Sequence, residues 1–287
     1  MGTPSILITG ASTGIGQACA VAFDRLGWDV FAGVRRDEDG RRLAAGASDR
    51  LRPVILDVTD MSSVEAAAKE IDVAVGEAGL TAVVNNAGIA VGGPVEYLAV
   101  DEWRRQFDVN VIGPVAVTRA VLPSIRRSGR RGRVVFIGSI GGRVANPFVA
   151  PYAASKHAIE AIAESMRHEL APTGIRTVVI EPGAVRTPIW DKGQSDADDI
   201  EAGMPAEGLE RYGAAIGALR KAMQFQARTG VDPSVVAGVV ERAVTSPKPA
   251  ARYVVGRDAK AMAIAIRFLP DGARDALMRV GMKMASR

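Results

Sequence analysis

The chain is short of the residues that build metal centres and disulfide frameworks. Its 287 residues include a single cysteine, Cys19, and two histidines, His157 and His168. One cysteine excludes an internal disulfide and suits a reducing compartment, so a cytoplasmic location is expected. With so few nitrogen and sulfur ligands no metal site is expected, and redox chemistry would need an organic cofactor. Long apolar runs are missing as well: no uncharged stretch of about 18 residues exists to span a bilayer. "SILITG" starts a strand almost at once, so no signal peptide is expected, and "MGTPSI" departs from the myristoylation pattern at its sixth residue. Nor does one sign of charge dominate. The balance of 36 Lys and Arg against 32 Asp and Glu leaves +4, too mild to imply nucleic acid. The densest basic cluster, "RRSGRRGR" (126–133), lacks interleaved aromatics and precedes a strand, so it reads as a solvated loop.

An apolar fraction of 48% is ample for a core. Short β-rich runs alternate with amphipathic ones. The runs predict strands at Ser5–Thr9, Trp28–Val34, Arg52–Leu56, Ala82–Val84, Arg133–Gly138, Arg176–Glu181 and Arg252–Val255. Helices are expected at Gly14–Leu26, Met61–Val75, Asp101–Ile125 and Ala153–Leu170. Continuous runs such as "ILIT" and "TVVI" suit strands buried on both faces. The alternation therefore predicts an α/β fold: a single-domain, Rossmann-type, doubly wound parallel sheet of about seven strands, with helices on both faces. Domain 1–287 would carry a substrate-binding segment at 184–230 and a helical tail at 258–287. The stretch from Trp190 to about Phe225 reads as irregular, with "DKGQSDADDIEAG" as loop.

Between the first strand and the first helix stands "TGASTGIGQ", with Gly10, Gly14 and Gly16 spaced G-x-x-x-G-x-G. Glycines at such a junction permit a tight turn, close approach of backbone to a pyrophosphate, and tight helix–sheet packing. The turn residues Thr13 and Ile15 would then lie against the cofactor at the new helix's N-terminus, and Ser12 could add a hydroxyl donor for a 2′-phosphate. Strands three and four end in Asp57–Val58 and in Asn86, Ala87 and Gly88, on the sheet edge where doubly wound folds bind ligands. Asp57 could accept from an adenine amino group, and Asn86–Gly88 could form a flat wall. Each could equally be a turn former.

In "PYAASKHAIE", Tyr152 and Lys156 lie one turn apart on a helix face. Alone, the pair reads as a core tyrosine with a lysine snorkelling beside it. Taken with TGASTGIG (9–16), Asp57, NNAG (85–88), Asn110, Ser139 and "EPGAVRTP" (181–188), the chain resembles the classical short-chain dehydrogenase/reductase family over about residues 5–190. Beyond Pro182 it resembles the retinol and hydroxysteroid dehydrogenase branch. The resemblance implies an NAD(P)-dependent dehydrogenase or reductase moving hydride between nicotinamide and an alcohol or carbonyl. Its catalytic residues would be Asn110, Ser139, Tyr152 and Lys156. Tyr152 would be the acid/base, Ser139 would hold the substrate oxygen, and Asn110 would anchor a water relay leading to Lys156. Pro182, Gly183, Val185 and Thr187 would surround the nicotinamide, and Lys156 would also bond its ribose. A dimer or tetramer is implied, with helices 101–125 and 153–170 at the interface.

Elementary electrostatics agrees with that role for the pair. A phenol of pKa ~10 needs ~4 kcal/mol of preferential anion stabilisation to ionise near neutrality. One ammonium at ~4 Å in an effective dielectric of ~20 supplies about that much. Lys156 is therefore expected to lower the pKa of Tyr152.

Cofactor choice rests on "VFAGVRRDEDG". An NAD site places an acid ~20 residues beyond the glycines, and Arg35 and Arg36 stand there instead. NADP(H) is favoured, with Asp37 turned inward for NAD(H) as the other candidate. Val144, Pro147, Phe148, Val149, Trp190, Met204, Tyr212, Met223 and Phe225 could form an apolar pocket beside Ser139 and Tyr152, for a lipophilic, steroid- or retinoid-like substrate. The tail alternates apolar and basic residues; a lid or subunit contact ranks ahead of a membrane surface. Rival functions are a sugar-nucleotide epimerase or dehydratase, and a non-catalytic dinucleotide redox sensor.

Overall fold

The computed structural model describes residues 2–189, 198 and 201–276. Its elements begin with β1 (Ser5–Ile8), α1 (Gly14–Arg25), β2 (Asp29–Val34), α2 (Asp37–Ala44), β3 (Leu51–Ile55) and α3 (Met61–Val75). Next come β4 (Ala82–Asn85), α4 (Val100–Phe107), α5 (Gly113–Arg127), β5 (Arg133–Ile137) and α6 (Ala150–Leu170). β6 (Arg176–Pro182), α7 (Ala206–Thr229), α8 (Pro233–Thr245), β7 (Arg252–Val255) and α9 (Arg257–Phe268) follow.

All seven strands pair in parallel, in the order β3-β2-β1-β4-β5-β6-β7. Because successive strand side chains point to opposite faces, each apolar run feeds two layers. Ile6 and Ile8 pack with Cys19 and Phe23 of α1 and Val236 and Val240 of α8. Leu7 between them packs with Ile71 of α3, Val121 of α5 and Ile159 of α6. A sheet covered on both faces needs continuous hydrophobic strands, which is what the sequence supplies. The chain winds outward from β1 to β3 and restarts at β4 on the other side of β1. A crevice therefore opens beyond the carboxyl ends of β1 and β4.

A short helix that was not among those expected, α2, follows β2: its first turn holds Asp37, Glu38 and Asp39 and its last holds Arg41 and Arg42, which suits the helix dipole. Three expectations need correction. The helix expected over 101–125 is interrupted by a π-helical turn at Asp108–Ile112, and Pro114 starts α5. Much of the segment read as irregular is the 24-residue helix α7. Its buried Ile216 and Ala218 anchor it, and Arg211 and Tyr212 reach across to Glu96. The basic cluster also ends differently from a solvated loop. Arg133 is buried at the start of β5 and donates to the carbonyls of Gly132 and Ser246, at 2.9 Å each.

Within the tail, α9 is tied down at its N-terminus, where the Asp258 carboxylate accepts from the Ala184 amide at 2.9 Å. Ile264 and Phe268 face outward. Residues 277–287 of the expected tail lie outside the described residues. Among the described residues no helix is long and apolar enough to cross a membrane.

Candidate active site

The glycine turn leaves no spare volume. Gly10 has φ +65°, and a Cβ there would sit 2.9 Å from Ala87 Cα. A Cβ on Gly16 would meet the Gly10 carbonyl oxygen at 2.3 Å and Asn86 Nδ2 at 2.4 Å. The turn is bolted to the end of β4: Asn86 Nδ2 donates to the carbonyls of Thr9 and Gly10, and the Thr9 hydroxyl accepts from the amides of Asn86 and Ala87. Thr187, returning from β6, lies close enough to Gly14 that a Cβ there would meet its methyl at 3.0 Å.

Around this turn opens a cleft of about 590 Å³. Gly10, Ser12, Thr13, Gly14 and Ile15 line it, and Gly16 packs beneath. From β2 and β3 come Arg35, Arg36, Asp57 and Val58; from β4, Asn86, Ala87 and Gly88. Pro182, Gly183, Val185 and Thr187 face it from the far side, and Ser139, Tyr152 and Lys156 close its end. Asp57 Oδ1 accepts from the amide and hydroxyl of Thr59 at 3.0 and 2.7 Å, so it also shapes its own turn. Asp37 turns away to pair with Arg41 and does not line the cleft.

Ser139 stands two residues beyond β5 and accepts from the Gly141 amide at 3.1 Å, which caps a short 3-10 turn. Its hydroxyl donates to the Pro182 carbonyl at 3.5 Å, and its influence on the Tyr152 phenol is to pull the phenol's pKa down. Burial acts in the opposite direction and is the larger cause, so Tyr152 stands above the ordinary phenol value. Lys156 is buried where Tyr152 is half-buried, and desolvation lowers its pKa to about 8. Its Nζ donates to the Ile137 carbonyl at 2.8 Å and lies 5.7 Å from the centre of the Tyr152 ring. The expectation that Lys156 pulls Tyr152 down is thus corrected: the ammonium stands beside the ring and is bonded elsewhere, and burial of the phenol outweighs it.

Asn110, in the π-helical turn, is buried and has both ends of its amide engaged. Its Oδ1 accepts from the Ile89 amide at 2.9 Å, and Nδ2 donates to the Ile89 carbonyl and to Ser155 Oγ at 3.0 and 3.1 Å. Ser155 Oγ in turn donates to the Tyr152 carbonyl at 2.7 Å. The side chain therefore holds the loop after β4 against the helix of Tyr152. Gln106 supports the same loop, with Oε1 accepting from Val91 at 2.7 Å and Nε2 donating to Ile89 at 3.0 Å. Sequence reasoning missed Gln106, which stands one helical turn before Asn110 as an amide in an amphipathic run.

The expected apolar pocket is only partly assembled. Ser139 and Tyr152 face the cleft, joined by Ile189, whereas Val144 and Phe148 are not in its lining. The Phe148 ring packs edge-on against Tyr212 of α7, whose hydroxyl bonds Glu96 at 2.8 Å. Met204 is buried against Gly208, and Phe225 is exposed on α7. Trp190 lies outside the described residues.

Residues 4–198 match the short chain dehydrogenase family. Among similar proteins, the NADPH-dependent 3-dehydrocapnine reductase of Ornithobacterium rhinotracheale is 35% identical over 280 residues, covering 96% of each chain. Retinol dehydrogenase 5 of Mus musculus is 36% identical over 281 residues, covering 95% of this chain and 87% of its own. A solved short-chain dehydrogenase from Streptomyces avermitilis superposes with a TM-score of 0.77 at 28% identity, over 97% of this chain and 96% of that one.

Proposed function

This chain belongs to the short-chain dehydrogenase/reductase family, on its retinol/hydroxysteroid dehydrogenase-like branch, and from that premise we propose that it interconverts a lipophilic alcohol and its carbonyl, with NADP(H) as cofactor and Tyr152 as proton carrier. Family membership makes it an NAD(P)-dependent oxidoreductase. The finer reading is carried by one observation: a half-buried phenol, with Ser139 and a buried ammonium beside it, closes the end of the same cleft that the glycine turn opens.

The residues fit a dinucleotide. Gly10 and Gly16 leave a cradle that no Cβ could share, and Arg35 and Arg36 line the cleft where Asp37 does not. Gly10–Ile15 would hold the pyrophosphate, Asp57 and Val58 the adenine, Asn86–Gly88 and Pro182–Thr187 the walls of the nicotinamide site, and Lys156 the ribose. When bound, the nicotinamide supplies or receives the hydride.

Tyr152 holds its proton at neutral pH, because burial raises its pKa. A protonated phenol is a general acid, ready to give its proton to a carbonyl oxygen, so the site is poised for reduction. Ser139 donates a second hydrogen bond to that oxygen and favours the developing alkoxide. Lys156, charged below pH about 8, stabilises the phenolate that remains. Asn110 and Ser155 fix the position of the Tyr152 helix turn.

Exposed Val100 and Ile112 on α4 and the turn before α5 support a homo-oligomer built on this face and α6. Light scattering at micromolar concentration should give a dimer or tetramer. The activity itself is read by following reduced-nicotinamide absorbance with a panel of lipophilic ketones and alcohols. Turnover of at least one is expected. Tight cofactor binding with no turnover on any would favour the sensor reading, and turnover confined to small charged metabolites would sink the lipophilic one.

A further inference from the structure

Beyond the carboxyl end of β2, Arg35, Arg36, Asp39 and Arg42 line one corner of the cleft. Asp39 is the buried member of the group. Its two oxygens are divided between two arginines: Oδ2 accepts from Arg36 Nε at 3.1 Å, and Oδ1 accepts from Arg42 Nη2 at 2.8 Å. The carboxyl is held below its usual pKa, chiefly by the Arg36 hydrogen bond, and so stays ionised. The guanidinium side chains remain open, 75% exposed for Arg36 and 59% for Arg42.

Each guanidinium has five N–H donors and gives one to Asp39, which leaves both planar forks available. Arg36 caps the start of α2 and Arg42 sits in its last turn, so one carboxylate fixes two cations from opposite ends of a short helix. Three arginines and one aspartate leave this corner with two positive charges. A ribose 2′-phosphate monoester carries about −1.5 to −2 at pH 7, which matches that sum. A 2′-hydroxyl gains little here, because the one carboxylate lining the corner is already shared between the arginines.

We infer that Arg42 is a further specificity residue for the 2′-phosphate, and that Asp39 is the positioning residue that aims Arg36 and Arg42 at it. The inference rests on the NADP(H) reading above and adds two residues that the strand-end pair Arg35 and Arg36 does not include. Preorganised forks bind more tightly than free arginine side chains because less rotamer freedom is lost on binding.

The test is calorimetric titration of the purified protein with NADPH and NADH, and with adenosine 2′,5′-bisphosphate and AMP, for the wild type, Arg42→Ala, Asp39→Asn and Asp39→Glu. The wild type should prefer the phosphorylated member of each pair by about 10-fold or more. Arg42→Ala should lower that preference by about 10-fold or more while NADH binding stays within about twofold. Asp39→Asn should lower it in the same sense, and Asp39→Glu should restore part of it. A wild-type preference for NADPH that neither Arg42→Ala nor Asp39→Asn changes would overturn this inference and leave the NADP(H) reading standing. A wild-type preference for NADH would overturn that reading and this inference with it. Equal loss of NADPH and NADH binding in Asp39→Asn would assign Asp39 to the fold alone and overturn its positioning role.

Discussion

The Lys156 ammonium stands 5.7 Å from the centre of the Tyr152 ring and gives its hydrogen bond to the Ile137 carbonyl. Both side chains are desolvated, and each is pushed toward its neutral form, the phenol upward and the ammonium down to about 8. Tyr152→Phe removes only the ionisable oxygen. Turnover should vanish while cofactor affinity, read by calorimetry, stays within about threefold. If most of kcat survived, Tyr152 would not be the proton carrier.

Lys156 is costly to bury. A displacement from 10.5 to about 8 corresponds to about 3 kcal/mol at roughly 1.4 kcal/mol per pKa unit. Lys156→Met removes that cost and forfeits one hydrogen bond worth about 1 kcal/mol, so unfolding free energy at pH 7 should rise by about 1–2 kcal/mol while turnover collapses. The sign follows from proton counts. Between about 8 and the ordinary lysine value the unfolded chain holds the proton and the folded chain does not, so wild-type stability rises with pH there. The advantage of Lys156→Met should therefore shrink above pH 8. Denaturant melts at pH 7 and pH 10 check this, and a larger advantage at pH 10 would contradict it.

The same depressed value predicts the kinetic profile. Reductive kcat/KM should be level below pH about 8 and decline above it as the ammonium discharges. Lys156→Arg, charged throughout, should lose that decline whatever activity it keeps. A decline that persists unchanged in Lys156→Arg would move it to another group.

Much of this was legible in the sequence because parallel strands announce themselves. A run such as "ILIT" must be apolar on both faces, and Ile6, Leu7 and Ile8 do feed opposite layers. The glycine turn was equally plain, since steric need at Gly16 admits no other residue. What stayed hidden was set by tertiary contact. α2 is charged at five of its eight positions and shows no apolar stripe, and α7 carries Gly208, Gly213 and Gly217, which blurred its period. Phe148 and Val144 have the chemistry of pocket residues, yet the seat offered by Tyr212 draws the Phe148 ring to α7. The pKa directions of Tyr152 and Lys156 depend on burial, which spacing alone does not report.

Ser139 has two tasks, one chemical and one structural. Ser139→Ala should lower kcat by about 10²–10³-fold, as loss of one oxyanion donor does. It should also cost about 1 kcal/mol of stability through loss of the cap on Gly141. A kcat change below tenfold with the stability loss intact would leave Ser139 as a cap only.

The last prediction concerns the cradle itself, and pairs two glycines of opposite character. Gly16 has no space for a methyl group: its Cβ would overlap the Gly10 carbonyl oxygen at 2.3 Å, and that oxygen is fixed by Asn86 Nδ2 at 3.1 Å. Relief would require the glycine turn to lift away from the end of β4. Gly46, after α2, has open space where a Cβ would stand, with no neighbouring atom within 4 Å, and its backbone is not in the left-handed region. Gly46→Ala should therefore be neutral or stabilising by up to about 1 kcal/mol, because it narrows the unfolded ensemble. Gly16→Ala should destabilise by about 1–3 kcal/mol, the usual range for overpacking a closed site. It should also weaken dinucleotide binding at least tenfold, because the backbone that meets the pyrophosphate is the part that moves. Thermal melts with and without NADPH separate the two effects. The cofactor should raise the Tm of wild type and of Gly46→Ala, and leave that of Gly16→Ala nearly unchanged. A full cofactor-induced shift in Gly16→Ala would mean that the pyrophosphate does not rest on this turn.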